Sequence, residues 1–133
     1  MSALVLDTDV ASLSFKDQLP ARMQARLDAS LVCVTFVTLG ELTRWARLHS
    51  WGARPRARLQ MWLHRAVRLG YDDEVARVWG ELSAAATQRG RTSPPNDTWI
   101  AACCLVEGLP LATRNVKDYA GFADHHGLEF VTG

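Results

Sequence analysis

Short apolar segments alternate with amphipathic helices along this chain, and this alternation constrains the fold more than any other feature. The apolar segments lie at residues 3–6, 31–37, 67–71, 109–113 and 128–131. Short segments of this kind, apolar without interruption, are typical of strands buried on both faces of a parallel sheet. Strands that alternate with helices indicate an α/β domain. We therefore expect a mainly parallel sheet of about five strands.

The helices between these segments carry recognisable starts and stops. Residues 73–89 have apolar side chains at steps of three and four, and Gly90 follows as a stop. Residues 98–107 are apolar nearly all round, which indicates a buried helix. Thr38 and Glu41 have the spacing of a capping box, so a helix is predicted from Thr38 to about residue 49. Its predicted inner face carries Leu42, Trp45 and Ala46.

Acidic side chains follow the predicted strands where the strands end. Asp7 comes directly after the first strand, Glu41 lies just past the second, and Asp118 lies just past the fourth. Asp97 opens the buried helix that leads into the fourth strand. Ligands of parallel α/β sheets bind beyond the carboxyl ends of the strands. We therefore expect these four carboxylates to meet at one edge of the sheet.

A group of four carboxylates requires either protonation or a counter-charge. Taken singly, each acid could cap a helix or stabilise a helix N-terminus. Together they repel, by roughly 3 kcal/mol per pair at about 5 Å and an effective dielectric near 20. Raised pKa values are one answer and a bound cation is the other. Oxygen ligands without His or Cys favour Mg²⁺ or Mn²⁺ over zinc. Such an ion can activate water and neutralise charge on a phosphodiester.

The overall charge hides a possible basic surface. The chain has fifteen Lys and Arg against fourteen Asp and Glu, a net charge of +1. If Asp7, Asp9, Glu41, Asp97 and Asp118 share one site, nine acids remain elsewhere and the rest of the surface carries +6. Composition alone favours an ordinary solvated surface. If the acids are separated from the basic residues in this way, the basic surface could bind a polyanionic ligand such as RNA.

Length and composition limit the class of protein. A chain of 133 residues predicts one domain. No stretch approaches the roughly 20 apolar residues that a membrane-spanning helix needs, and no basic segment precedes the first apolar run. The cysteines Cys33, Cys103 and Cys104 lack the spacing of a zinc site, so we expect small core residues. These features predict a cytoplasmic protein without a membrane segment.

Four segments of the chain resemble motifs of the PIN-domain family and, within it, of the VapC-type toxins of toxin–antitoxin pairs. They are LVLDTDV, TFVTLGELTRWA, PPNDTWIAA and PLATRNVKDYAGF. The resemblance covers essentially the whole chain, in the family's order and spacing. It implies that residues 1–133 form a single PIN domain of three α/β/α layers. It also implies an Mg²⁺-dependent endoribonuclease, a VapB-type antitoxin as partner, and homodimers.

The resemblance also assigns site residues. The first three acids of the family fall on Asp7, Glu41 and Asp97, as catalytic residues and metal ligands. The fourth position is open between Asn115 and Asp118. Further residues that the sequence predicts at the site are Asp9, as an additional ligand or acceptor, and Thr8 and Thr113, as hydrogen-bonding supports.

Basic and aromatic residues supply candidate binding surfaces. Arg114 lies beside the predicted site, and Arg44 and Arg47 lie on the helix that follows the second strand. We expect contacts to RNA phosphates, because Arg binds phosphate in a fork, although a solvated helical face is the alternative. A groove for an antitoxin helix is one use of Trp45, Trp51 and Trp62, and core packing is the other.

The same residues are also compatible with other functions. Asp7 and Asp9 also fit the first motif of haloacid-dehalogenase-like phosphatases, in which the first Asp is a nucleophile. That family needs a Lys followed by an acidic pair, whereas Asp72-Asp73 precedes Lys117 here. A receiver domain would use an acidic pair after the first strand and Asp72 as phosphoacceptor, and Glu41 and Asp97 would then have no function. A third alternative is a PIN-like module that binds RNA or an antitoxin without cutting, which metal-dependent cleavage would exclude.

Overall fold

The computed structural model describes residues 2–132, and its elements follow the alternation that the sequence predicts. The strands are β1 (Ala3–Leu6), β2 (Leu31–Thr35), β3 (Val67–Leu69), β4 (Leu111–Ala112) and β5 (Phe130–Val131). The helices are α1 (Thr8–Phe15), α2 (Ala21–Asp28), α3 (Phe36–Leu48), α4 (Ala53–Arg65), α5 (Asp73–Gln88), α6 (Pro95–Glu107) and α7 (Val116–His126). Met1 and Gly133, the ends of the predicted domain, lie outside the described residues.

The strands form one sheet in the order β3-β2-β1-β4-β5, and every pairing in it is parallel. β1 is central, with Val5 opposite Cys33 of β2 on one side and Leu111 of β4 on the other. The prediction of a mainly parallel, five-stranded α/β fold is therefore confirmed. Because the strands are parallel, all of their carboxyl ends lie at one edge of the sheet.

Two apolar clusters cover the two faces of this sheet. Val5 of β1 belongs to a cluster that includes buried residues of α5, α6 and α7. Its neighbours Leu4 and Leu6 belong to a second cluster, with residues of α1, α2 and α4. Successive side chains of a strand point to opposite faces, so the two clusters lie on opposite sides. The result is the three-layer α/β/α arrangement that the resemblance implied.

The start of α3 differs from the prediction. The cap is Thr35, whose hydroxyl oxygen accepts a hydrogen bond from the Thr38 backbone N–H at 3.4 Å. The helix therefore begins at Phe36, and the strand predicted over 31–37 was two residues too long. The capping box of Thr38 and Glu41 is also wrong. Both threonines can cap a helix, and the strand-like residues between them were compatible with either start.

Two helices were not predicted from the sequence, and one side chain was misplaced. α1 has little amphipathic contrast, because Ser12 and Ser14 are buried beside its apolar residues. α7 carries Gly121 in its interior, which weakens a helical pattern. Trp45 was expected on the inner face of α3 but is 39% exposed, whereas Leu42 and Ala46 are buried as predicted.

The remaining expectations about the core agree with the structure. All three cysteines are buried and free, as predicted for small core residues. Among residues 2–132, no helix combines the length and apolar character that crossing a bilayer demands.

Candidate active site at the carboxyl edge of the sheet

The four acids that the sequence predicted at one edge, and the additional candidate Asp9, line a single cavity of about 110 Å³. We call this cavity the carboxylate pocket. It lies beyond the carboxyl ends of β1 and β4, between the first turns of helices α1, α6 and α7 and the body of α3. Its lining residues are Asp7, Thr8, Asp9, Glu41, Asp97, Ile100, Asn115, Asp118 and Tyr119.

Asp7 is the most deeply placed of these acids, with 3% of its surface exposed. It links β1 to α1 and caps that helix, because its Oδ1 accepts a hydrogen bond from the Val10 N–H at 2.8 Å. Its Oδ2 accepts a hydrogen bond from the Thr113 hydroxyl at 2.6 Å. Thr113 stands just past β4 and itself accepts from the Asn115 N–H at 2.9 Å. Both oxygens of Asp7 are therefore fixed.

Glu41 accepts a hydrogen bond from the Thr8 hydroxyl, which is itself in contact with the Thr38 hydroxyl. The Thr8 hydroxyl donates to Glu41 Oε1 at 2.7 Å, and the Thr8 and Thr38 hydroxyl oxygens lie 2.9 Å apart. A threonine hydroxyl carries one proton. Because Thr8 gives that proton to Glu41, Thr38 must be the donor to Thr8. Thr8 thus supports a carboxylate, as predicted, and Thr38 is a support that sequence reasoning did not identify.

Asp97 enters the carboxylate pocket from the first turn of α6. Its Oδ1 accepts a hydrogen bond from the Tyr119 hydroxyl of α7 at 3.3 Å. A carboxylate in the first turn of a helix also interacts favourably with the helix dipole. Tyr119 was not among the predicted site residues. The spacing of Tyr119 and Phe122, which are the buried residues of α7, was the signal that could have revealed it.

Both candidates for the fourth acidic position of the family lie at the pocket. Asn115 precedes α7, Asp118 lies in its first turn, and both line the carboxylate pocket while remaining exposed to solvent. Asp9, in the first turn of α1, is likewise exposed and lines the pocket. These three exposed residues form the outer rim of the carboxylate pocket, and the buried Asp7 lies at the base of the pocket.

Burial and mutual repulsion raise the pKa of two carboxyl groups in the pocket. The pKa of Asp7 is raised above its ordinary value of 3.8, first by burial and then by the charges of Asp9 and Asp97. The hydrogen bonds from Thr113 and Val10 oppose that shift. The pKa of Asp97 is raised by burial and by the charges of Asp118 and Glu41. The pocket therefore holds negative charge at a cost that a bound cation would relieve.

The donor set of the pocket suits a hard divalent cation. Its ionisable lining residues are five carboxylic acids and one tyrosine, and the other polar groups are a hydroxyl and an amide. Within residues 2–132, no three Asp, Glu, His or Cys side chains are grouped closely enough to form a ready-made metal cage. Mg²⁺ is commonly bound by one or two carboxylates and several waters, so such a cage is not required. The residues present fit this type of ion.

The predicted arginines lie outside the carboxylate pocket. Arg114 is exposed and lines a different cavity of about 340 Å³, together with Thr113, whose hydroxyl donates to Asp7. Arg44 and Arg47 are exposed on α3. With the exposed arginines of α4 they form a set that we call the arginine surface: Arg44, Arg47, Arg54, Arg56, Arg58 and Arg65.

Residues needed by the competing functions do not reach the pocket. Lys117, which a phosphatase of the dehalogenase type would need beside Asp7, is exposed and is not a lining residue. Asp72, the phosphoacceptor of the receiver alternative, caps α5 by accepting a hydrogen bond from the Val75 N–H at 2.9 Å.

Comparison with known proteins agrees with this geometry. The sequence profile of the PIN domain matches residues 4–125. The chain is 35% identical over 102 residues to Ribonuclease VapC4 of Mycobacterium tuberculosis, which covers 74% of this chain and 75% of that protein. It is 29% identical over 121 residues to the tRNA(fMet)-specific endonuclease VapC of Shigella flexneri, across 90% of this chain and 91% of that protein.

A solved structure is similar over the whole chain. It is a crystal structure of VapBC-5 from Mycobacterium tuberculosis, a member of the VapBC family of toxin–antitoxin systems. The TM-score is 0.70 at 30% sequence identity, and the match covers 100% of both chains.

Proposed function

Because the chain belongs to the PIN-domain family and, within it, to the VapC ribonucleases, we propose that it is the endoribonuclease toxin of a toxin–antitoxin pair. The observation that carries the proposal is the carboxylate pocket. Five acids line this one cavity, and they come from the residue before α1 and from helices α1, α3, α6 and α7. We further propose that residues 1–133 constitute one PIN domain, that the protein forms homodimers and that it acts in the cytoplasm.

The proposed cofactor is Mg²⁺, with Mn²⁺ as a substitute. Asp7, Glu41 and Asp97 would hold the ion, and Asp118 and Asp9 would contribute from the rim. When bound, the cation would supply Lewis-acid stabilisation of the charge that develops on the phosphodiester. The threonines keep the inner carboxylates in place, since Thr113 donates to Asp7 and Thr8 donates to Glu41. Asn115 would orient an attacking water or the substrate from the rim.

The proposed substrate is RNA, as the names of the relatives indicate for those proteins. Arg114 lies next to the carboxylate pocket and would bind a phosphate beside the one that is cleaved. Arg44 and Arg47 would attract the RNA backbone from α3. Their exposure supports this role, because exposed guanidinium groups are free to form bidentate contacts with phosphate.

The proposed partner is a VapB-type antitoxin, and a groove on the α1, α2 and α4 side of the fold supports its docking. Two cavities of about 380 and 400 Å³ share the side chains of Trp62 and Arg65. Trp51 stacks on Phe15 at a centroid distance of 5.7 Å, and Phe15 lines the first cavity. Aromatic residues and arginine are the side chains that most often anchor interfaces. Trp45 lies apart from this groove, under the ammonium group of Lys16.

Cleavage of RNA by the purified protein, freed of any antitoxin, tests the proposal. We expect cleavage with Mg²⁺ or Mn²⁺, loss of cleavage with EDTA, and recovery on addition of Mn²⁺. Activity that survives EDTA would contradict the metal-dependent mechanism. Binding of RNA without cleavage in saturating Mn²⁺ would instead identify a non-catalytic binding module.

Expression in a bacterial host tests the toxin assignment separately from the chemistry. We expect growth arrest when the wild-type chain is induced, and relief when a cognate antitoxin is expressed with it. Variants without activity in the cleavage assay should cause no arrest. Growth arrest by such inactive variants would show that toxicity does not depend on RNA cleavage.

A further inference from the structure

We propose that Tyr119 is a positioning residue of the carboxylate pocket, whose hydroxyl fixes one oxygen of Asp97 and leaves the other available to a divalent cation. The inference deepens the proposed function and rests on it, because Asp97 is a metal ligand there. It concerns a residue that lies within the segment PLATRNVKDYAGF but to which the sequence analysis assigned no role.

The tyrosine ring is rigidly placed. Tyr119 is 3% exposed and belongs to the same apolar cluster as Ile100 and Phe122, with its ring centroid 6.1 Å from that of Phe122. Tyr119 also lines the carboxylate pocket, and its hydroxyl donates to Asp97 Oδ1 at 3.3 Å. A ring packed in this way delivers its hydroxyl to one place, so the donor has little freedom to follow the carboxylate.

The Asp97 carboxylate has one protein donor. Among residues 2–132, the Tyr119 hydroxyl is the group that donates to this side chain, and it contacts Oδ1 rather than Oδ2. A neutral donor orients a carboxylate without cancelling its charge, whereas Lys or Arg in the same place would compete with the cation. Hydrogen bonds of this type, from outside the ligand shell, typically set the orientation of metal-binding side chains.

A hydroxyl donor is also present at each of the other two inner acids. Thr113 donates to Asp7 at 2.6 Å, and Thr8 donates to Glu41 at 2.7 Å. Each inner carboxylate therefore has its own hydroxyl donor from a different part of the chain. Tyr119 supplies from α7 what the threonines supply from α1 and from the end of β4. The recurrence indicates that the Tyr119 hydroxyl belongs to the site rather than only to the core.

Replacement of the hydroxyl alone provides the test. Tyr119→Phe keeps the ring and its packing, and the dissociation constant of Mn²⁺ is measured on the full chain without RNA, by titration calorimetry. We expect binding about 10-fold weaker than in the wild type, the lower end of the effect usual for such supporting bonds. The chain has a second tyrosine, Tyr71, which is 75% exposed, so Tyr71→Phe is a matched control and should bind Mn²⁺ normally.

Kinetics distinguish positioning from a purely structural role. For Tyr119→Phe we expect a lower kcat at limiting Mn²⁺, an unchanged KM for RNA, and recovery of most of the kcat at saturating Mn²⁺. A structural role predicts lower thermal stability with unaltered Mn²⁺ affinity. Wild-type affinity in Tyr119→Phe, or an equal loss in Tyr71→Phe, would overturn the proposal.

A second measurement covers the case in which Tyr119→Phe does not fold. In the Tyr71→Phe background, Tyr119 is the single tyrosine, and ¹³C labelling of tyrosine gives one ring resonance for it. We expect its Cζ shift to move when Mg²⁺ is added, because the hydrogen bond to Asp97 changes. An unmoved resonance at saturating Mg²⁺ would contradict the proposal.

The outcomes separate this inference from the proposed function. Metal-dependent RNA cleavage together with unaltered Mn²⁺ affinity in Tyr119→Phe would keep the function and reject the inference. Mn²⁺ binding that weakens in Tyr119→Phe, without any RNA cleavage by the wild type, would support the inference and reject the function. A wild type that binds no divalent ion would reject both.

Discussion

The carboxylate pocket and the arginine surface carry opposite charges, and the chain builds them in opposite ways. In the pocket, the inner acids are partly or fully buried, and a hydroxyl donor fixes each of them. On the arginine surface, all six guanidinium groups are exposed on helices α3 and α4. The acids are thus held in place by hydrogen bonds, whereas the arginines are long side chains on exposed positions, and Arg58 packs over the Phe15 ring.

The difference suits the two ligands proposed for this chain, a divalent cation and RNA. A small divalent cation needs oxygen atoms at set positions, so fixed carboxylates are required for it. A nucleic-acid backbone presents many similar phosphates, and mobile cations can engage them in several registers. We therefore expect substitutions in the pocket to abolish chemistry, and substitutions on the arginine surface to weaken binding gradually. The following experiments test that contrast, from the largest expected effect to the smallest.

Loss of one inner carboxylate should have the largest effect. We expect Asp97→Asn to lower the rate of RNA cleavage by at least about 100-fold, because a metal ligand contributes several kcal/mol of transition-state stabilisation. Asp73→Asn is the control, since Asp73 also lies in the first turn of a helix but outside the pocket. Equal loss in both variants, or an unfolded Asp97→Asn, would show that the negative charge serves the helix and not the chemistry. The same comparison applies to Asp7→Asn.

Loss of a supporting hydroxyl should have a smaller effect. Thr113→Val removes the donor to Asp7 Oδ2 while keeping the shape of a buried side chain. We expect cleavage at limiting Mg²⁺ to fall about 10-fold, as is usual for bonds that orient a metal ligand. Thr113→Ser retains the hydroxyl and should keep most of the activity. A serine variant as impaired as the valine variant would point to packing of the methyl group instead.

Loss of two arginine charges should act on binding alone. We expect the double variant Arg44→Gln, Arg47→Gln to bind single-stranded RNA several-fold more weakly with an unchanged kcat. The slope of log K against log salt should fall by about 1.4, since each phosphate contact on a single strand contributes about 0.7. Arg77→Gln, on the exposed side of α5, is the control. An unaltered salt slope in the double variant would remove these arginines from the RNA-binding surface.

The smallest effect concerns the stability of the metal-free protein. The pKa of Asp97 in the folded protein lies above its ordinary value of 3.8. In the pH interval between these two pKa values, the folded protein therefore binds more protons than the unfolded protein. The free energy of unfolding contributed by Asp97 therefore falls as pH rises through the interval. In EDTA at neutral pH, Asp97→Asn should raise Tm by up to about 4 °C, the effect of roughly 1 kcal/mol in a domain of this size.

A pH series of thermal unfolding, from about pH 4 to pH 7, checks this sign. The wild type should lose stability relative to Asp97→Asn as the pH increases, and excess Mg²⁺ should reduce the difference. A variant that is less stable than the wild type across the whole series would mean that the favourable interactions of the Asp97 charge, with the α6 dipole and with the Tyr119 hydroxyl, outweigh the repulsion in the pocket.

The sequence predicted the fold and the position of the acids at one edge of the sheet, because both follow from the order of strands and helices along the chain. Apolar strands separated by helices lead to a parallel sheet, and a parallel sheet brings every strand's carboxyl end to one edge. Asp7 and Asp97 could therefore be placed near each other without coordinates. The beginning of α3 could not be placed, since Thr35 and Thr38 are both suitable caps and the choice between them depends on tertiary contacts.

The supporting hydroxyl groups were harder to predict than the acids. Thr38 contacts Thr8 across 30 positions, and Tyr119 contacts Asp97 across 22, so no local pattern reports either pair. The sequence also could not predict which cavity each side chain lines. Arg114 directly precedes Asn115, yet Asn115 lines the carboxylate pocket while Arg114 lines a different cavity. Neighbours in sequence need not share a surface.

The capping bond of Asp7 has a practical consequence for anyone who studies this protein in solution. The carboxylate that receives the Val10 N–H also lines the carboxylate pocket, so we expect a bound cation, which draws electron density from it, to weaken the hydrogen bond from Val10. The strength of that bond should then depend on whether the pocket is occupied. The Val10 amide resonance offers an internal spectroscopic gauge of filling, which can be followed by titration without a labelled oligonucleotide.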